Sequence, residues 1–293
     1  MDMTSRIYCE KLKLRAYTVI TLDTAREITS IHQTTPNATV ALGRSITAAA
    51  LLAATLKPET NQNVLIKFSG DGPIKEVHVQ ADAFGNVRGY VANPSVDITH
   101  PMERISFSKS IGAGLLTVIR DIGMKEPYSS VTPLLYGEIA SDLAYYLVSS
   151  EQIPSAVIIG LNLDKEGIIS SSGGILIQTF PDTEESVIGM VEQKIKEMKK
   201  PLGDRLGEGE NIYQIVQELF DGNHIEILSA TPVRHQCRCN HQSTLQLLKV
   251  FSTSELSELQ AEGGAKVTCT FCKKEYQFTP DEIETIKNRH KGD

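Results

Sequence analysis

The sequence predicts an α+β protein in three parts: an N-terminal core domain of two antiparallel sheets layered with helices, a helical linker, and a small C-terminal domain organised by cysteines. Three observations carry that expectation. Residues 64–91 alternate apolar and polar side chains between tight-turn sequences, the pattern of a meander of antiparallel strands. Residues 38–57, ATVALGRSITAAALLAATLK, are nearly apolar around a whole helical circumference, which marks a central helix covered on every side. Four of the five cysteines fall in two clips, Cys237-Arg238-Cys239 and Cys269-Thr270-Phe271-Cys272, separated by the twenty-nine residues 240–268. The core domain is expected over 1-181, the linker over 182-231 and the C-terminal domain over 232-293.

Taken in order, residues 13–20 (KLRAYTVI) read as a strand, followed by a helix from Asp23 toward His32 capped by Asp23 or Thr24. Pro36 and Asn37 break the chain before the central helix. Within it Gly43 suits close packing, and Arg44 needs a partner, because an unpaired charge in so apolar a helix is costly. A core-edge ion pair is the expectation for Arg44. The meander then runs VLIKF, the turn Gly70-Asp71-Gly72-Pro73, IKEVHVQA, Gly85-Asn86 and VRGYV. A phosphate-cradling reading of the glycine-rich turn fails, since a strand and not a helix follows it. His78 lies between Val77 and Val79 and is expected on the opposite face from them.

Asn93-Pro94 ends the meander, and 97–112 reads as a polar connection. A strand over 115–123 is expected next, then a helix over 134–152 capped by Thr132-Pro133. Two strand runs follow, AVIIGLNL and IISSSGGILIQTF, with a bulge or bend at Ser171–Gly174. Beyond Phe180-Pro181 the character changes. Asp182 is expected to cap a charged amphipathic helix, ESVIGMVEQKIKEMKK, and NIYQIVQELFDG forms a second. Their apolar stripes, Val187, Met190, Val191, Ile195 and Met198, then Ile212, Ile215, Val216, Leu219 and Phe220, must lie against something. Packing that is permanent and packing released when the C-terminal domain unfolds both satisfy that requirement. In the C-terminal domain Gly263-Gly264 precede the second clip, Tyr276 and Phe278 supply a small core, and Thr279-Pro280-Asp281-Glu282 start a last helix.

The clips bear the chemistry. Two thiolate pairs brought together by a folded segment offer the tetrahedral sulfur cage that Zn2+ prefers, with bonds of about 2.3 Å. Cys237, Cys239, Cys269 and Cys272 are therefore the candidate metal ligands, one ion per chain, against the plainer readings of buried free thiols or structural disulfides. Four protein ligands leave no open position for substrate, which points to structure or sensing and not to zinc catalysis. Zinc keeps cysteines deprotonated, and the thiolate is the form oxidants attack. The single residue inside the first clip leaves its two sulfurs close enough to pair, so the site suits an oxidisable clasp. His235 and His241 flank that clip and are expected to be solvated; Cys9 stands alone and is expected to be buried. A domain this small buries little surface, so metal binding would supply most of its folding energy.

Composition narrows the function classes. At 293 residues and 41% apolar content the chain can bury a substantial core. A net charge of −7 disfavours nucleic acid, and residues 232–293 are near neutral, with nine Lys/Arg against eight Asp/Glu. No signal-peptide pattern opens the chain, and the longest apolar stretch, Ile46 to Leu56, is too short to span a bilayer, so no membrane association and a cytoplasmic location are expected. No H-E-x-x-H, G-x-S-x-G or Walker loop occurs, and no catalytic residue is expected.

The pattern resembles a known family, the redox-regulated 33 kDa heat-shock holdase chaperones of bacteria. The likeness covers nearly the whole chain: the two clips, ALGR at 41–44, DIGMKEPY at 121–128, GEIASDLAYYLVSSEQIPS at 137–155 and GGILIQ at 173–178. It departs after the first clip, at Asn240-His241-Gln242, and in the absence of tryptophan. The resemblance implies a reduced, largely inactive form with zinc on the four thiolates. It implies that oxidation joins Cys237 with Cys239 and Cys269 with Cys272 and releases the zinc. The linker then loosens, and apolar surface binds unfolding client proteins without ATP, typically as a homodimer. The rival expectation is a zinc-ribbon-like module for nucleic acid or protein, without redox switching.

Overall fold

The computed structural model describes residues 1–96 and 105–290. An antiparallel pair, β1 (Met3–Cys9) and β2 (Leu14–Ile20), leads into helices α1 (Leu22–Ile31) and α2 (Pro36–Ala54). The meander follows as β3 (Asn63–Gly70), β4 (Glu76–Asp82) and β5 (Asn86–Val91). Of the expected connection over 97–112, residues 97–104 lie outside the described residues, and a short helix, α3 (Phe107–Ile111), occupies most of the remainder. Next come β6 (Gly114–Asp121), β7 (Tyr128–Pro133), α4 (Ile139–Ser149), β8 (Ser155–Leu163) and β9 (Ile169–Thr179). Helices α5 (Glu185–Lys196), α6 (Leu202–Gly207) and α7 (Ile212–Leu219), then strands β10 (Glu226–Pro232) and β11 (Arg234–His235), complete one compact unit, Met1–Gln236.

Two sheets form this unit, ordered β10-β1-β2-β9-β8 and β11-β5-β4-β3-β6-β7. Pairing is antiparallel throughout, apart from the short parallel match of β11 to β5. The α+β class with two layered sheets is as the sequence predicts. Helix α2 lies between the sheets, against β3, β4 and β5 of one and β2, β8 and β9 of the other. Every residue in it except Pro36 and Arg44 is buried, which is why its sequence is apolar all round. Arg44 sits at the core edge as expected, its Nη1 3.1 Å from Glu138 Oε2. Close approach explains the glycines of β9: a Cβ on Gly174 would lie 2.8 Å from Thr47 Cγ2 and 2.9 Å from Leu51 Cδ1 of α2. The buried hydroxyls of Thr21, Thr47 and Ser172 satisfy one another there, at 2.7 to 3.3 Å.

Several local expectations change. The bulge falls at Ser170, where the β8 register steps from Asn162↔Ser171 to Leu163↔Ile169; Ser171–Gly174 is regular strand. The helix expected from 134 begins at Ile139, and Thr132-Pro133 instead end the edge strand β7. Its start is delayed because Gly137 takes φ +62° and the Asp142 carboxylate accepts the Leu135, Tyr136 and Glu138 amides, folding 134–138 into a loop. Asp182 does not cap α5, whose N-cap is Glu184; its carboxylate pairs with Lys13 at 2.6 Å.

The stretch 182–231 is helical as far as Leu219, with α6 as an additional short turn of helix in PLGDRLGEGE, but its last residues are strand and not helix, because Glu226–Thr231 belong to β10. Its stripe residues Val191, Ile212, Ile215, Val216, Leu219 and Phe220 join Ile7, Leu14, Ala16, Ile175 and Ile177 of the five-stranded sheet in one apolar cluster. Cys9 is buried in the same cluster, as expected. Strand β10 then pairs with β1, so the compact unit extends through the expected linker and ends at Gln236. Gly160 of β8 is what lets α6 lie flat, since a Cβ there would stand 2.2 Å from the Gly203 amide nitrogen.

The second unit, Cys237–Asp293, holds α8 (His241–Leu245), a 3-10 turn (Gln246–Val250), α9 (Thr253–Ala261), the hairpin β12 (Ala265–Thr268) and β13 (Glu275–Phe278), and α10 (Pro280–His290). Six buried residues, Leu248, Leu256, Tyr276, Phe278, Ile283 and Ile286, form its core.

Two glycine substitutions separate contact from propensity. Gly160→Ala should destabilise the first unit by about 1–3 kcal/mol in urea unfolding, through overpacking against backbone that cannot yield. Gly189→Ala, within α5 and with open space around its Cβ, should stabilise by about 0.5–1 kcal/mol.

Candidate metal centre

The second clip sits in the β12–β13 turn. The Cys269 amide donates to the Lys274 carbonyl and the Lys273 amide to the Cys269 carbonyl, both at 2.9 Å, and Lys273 adopts φ +58°. That tight knuckle points Cys269 and Cys272 to one side. The first clip runs directly into α8, where Asn240 forms a capping box: its side chain accepts the Ser243 amide at 2.8 Å, and its own amide donates to Ser243 Oγ at 3.0 Å. The departure at Asn240-His241-Gln242 is therefore a helix start that fixes where the first clip ends.

The four sulfurs converge. All lie within 4.8 Å of one another, with Cys237 Sγ 3.7 Å from Cys269 Sγ and Cys239 Sγ 3.3 Å from Cys272 Sγ. A regular tetrahedron built on bonds of about 2.3 Å has sulfur-sulfur edges of about 3.8 Å, so the cluster has the size Zn2+ requires. The electrostatics agree with that donor set. Burial pushes the Cys239 and Cys272 thiols above their ordinary range, so these two resist ionisation unless a cation joins them. The Tyr276 hydroxyl donates to Cys239 Sγ at 3.2 Å, a bond that raises the phenol's own pKa.

The flanking histidines lie outside the cluster. His241 is half exposed, its Nε2 2.6 Å from Glu282 and its ring tilted over Phe278. His235 is not solvated as expected: its side chain is 9% exposed and Nδ1 sits 2.9 Å from Glu27, because β11 turns it inward beside α1. His78 does face away from Val77 and Val79, stacked on Tyr90 with centroids 4.8 Å apart and 3.0 Å from Glu76. Sequence reasoning missed Tyr276 as a hydrogen-bond donor to sulfur; its alternation with Phe278 on the buried face of β13 marked it as core alone.

A layered α+β unit followed by a small unit with four gathered thiols defines a protein built to carry a cysteine cluster fit for a redox switch. The model of the Hsp33 protein family matches residues 2–279, and the chain belongs to that family. Curated relatives include the 33 kDa chaperonin of Aquifex aeolicus, 39% identical over 96% of this chain and 88% of that protein, and that of Syntrophotalea carbinolica, 37% identical over 97% and 99%. Among solved structures, the 33 kDa chaperonin (heat shock protein 33 homolog) of Thermotoga maritima matches with a TM-score of 0.89 and 32% identity, covering 100% of this chain and 99% of that one.

Tyr276→Phe should leave the zinc content unchanged while speeding peroxide oxidation of the cluster by about two- to fivefold, the effect of one lost hydrogen bond to sulfur. Stopped-flow thiol loss measures it, and an unchanged rate would remove Tyr276 from the site. Chelation of the reduced protein should melt the Cys237–Asp293 unit while the urea transition of the larger unit persists.

Proposed function

We propose that this protein is a redox-regulated, ATP-independent holdase of the cytoplasm, active as a homodimer of its core domain, residues 1-181, and not an enzyme. The observation that carries the reading is the four-sulfur cluster in a unit whose own core is six residues. Cys237, Cys239, Cys269 and Cys272 hold one Zn2+ per chain in the reduced protein. The bound ion would keep all four sulfurs as thiolates and tie the two clips together.

Oxidation then removes the donors. In each clip two thiolates give up two electrons and a sulfur-sulfur bond forms, while the oxygen-oxygen bond of a hydrogen peroxide molecule breaks and takes up two protons from solvent to leave two waters. The pairs are Cys237 with Cys239 and Cys269 with Cys272. Their sulfurs need little travel, since every sulfur lies within 4.8 Å of the others. Disulfide sulfurs are poor metal donors, so the small unit loses its clasp.

The stretch 182–231 is the switched element. Its stripe covers Ile7, Leu14, Ala16, Ile175 and Ile177, which would face water if α5 to α7 lifted. Unfolding client proteins bind that apolar surface. Ion pairs tie the helices of the cover to one another, with Arg205 of α6 bridging Glu210 at 2.5 Å and Glu218 of α7 at 2.7 Å, while Asp182 at its start pairs with Lys13 of the core at 2.6 Å. Relatives named chaperonins and the matched heat-shock homologue support the chaperone class.

Zinc release followed with a chromophoric chelator during peroxide treatment, alongside aggregation of a denatured client, tests the whole reading. Release of about one zinc per chain, concurrent with aggregation suppression and reversed by thiol reductant plus zinc, is the expected result. Zinc release with no change in suppression would reduce the cluster to a structural clasp. Replacing 182–220 with a polar spacer should make suppression independent of redox state; retained regulation would exclude the helices as the switch.

A further inference from the structure

We propose that the outer edge of β1 is a second client-binding element, which accepts an extended segment of an unfolding polypeptide by strand addition once β10 has left it. This rests on the holdase reading above. Strand β10 is the edge of the five-stranded sheet and pairs with β1 from Met3↔Pro232 to Tyr8↔Glu226. None of its seven residues is buried. Its hold on β1 is therefore made mainly by backbone hydrogen bonds, which carry no sequence information, together with the Thr4 hydroxyl, which donates to the Thr231 carbonyl at 3.4 Å. A bulge weakens that hold further: Leu228 has no partner between Arg6↔Ser229 and Ile7↔Ile227, and Ile227 and Leu228 are 47% and 58% exposed.

The acceptor strand is better anchored than its cover. β1 pairs with β2 at all seven positions, and Thr4, Ser5, Ile7 and Cys9 are buried. It remains in place when β10 goes. β10 belongs to the same stretch as α5 to α7 and follows α7 after six residues, so lifting those helices pulls on it directly. The freed edge then offers unpaired amides and carbonyls beside the uncovered face of Ile7, Leu14 and Ala16. A folded protein has few backbone groups left to give to such an edge, whereas an unfolding chain has many. Selectivity for unfolding clients follows from the backbone, without any reading of their side chains.

The test uses the oxidised full-length chain with a fluorescein-labelled peptide of alternating valine and threonine, as long as the seven-residue β10, and a copy N-methylated at alternate residues. Both peptides carry the same side chains, but only the first can complete a ladder. Anisotropy should show the methylated copy binding about tenfold more weakly, and hydrogen exchange should show residues 3–9 deprotected on oxidation and reprotected by the first peptide. Equal binding of both peptides, no binding of either, or residues 3–9 protected throughout overturns the proposal if the same sample suppresses aggregation of a denatured client. A sample that suppresses no aggregation overturns the holdase reading, and this inference with it.

Discussion

The five-stranded sheet is apolar on both faces and has to be covered on both. Tyr17, Val19 and Leu176 turn toward α2 and the second sheet, while Leu14, Ala16, Ile175 and Ile177 turn the other way and meet α5 and α7. A strand exposes alternate side chains to opposite faces, so no rearrangement within the sheet removes this requirement. The inner cover is locked: α2 is buried along almost its whole length between two sheets. The outer cover is a single layer of short helices with charged outer surfaces, joined to the cysteine unit by β10 and β11. The outer apolar face thus lies under a cover that leads, along the chain, into the unit carrying the four cysteines.

The two units differ in what stabilises them. The larger one owes its stability to a core that runs through both sheets and α2. Among the described residues the smaller has a core of six buried apolar side chains beside four sulfurs, too small to hold a domain without a further clasp. Sulfur chemistry is well suited to that task because it is strong when a metal is bound and lost by a two-electron oxidation. Tyr276 joins the two features, since its ring lies in the small core and its hydroxyl reaches Cys239.

Much of the site was legible in the sequence. Cysteines two and three positions apart declare their geometry through covalent spacing, which no distant contact can alter. The apolar run of α2 and the alternation of β3, β4 and β5 were likewise local patterns set by burial on all sides or on one face. Arg44 and Cys9 were predictable from the cost of burying a charge and the ease of burying a thiol.

Tertiary structure decided the rest. Strands β1, β7 and β10 mix polar and apolar residues because each takes its place through backbone pairing with a segment that the local sequence does not reveal, as in Tyr8↔Glu226. The start of α4 was set by Asp142 gathering three amides, and the inward turn of His235 by a strand of two residues lying on β5. The stripes of α5 and α7 announced that they needed a partner but not which one. The sequence by itself determined the chemistry of the clasp and the existence of an amphipathic cover, because both follow from residue type and spacing; where the cover lies was decided by which apolar face the folded sheet left open.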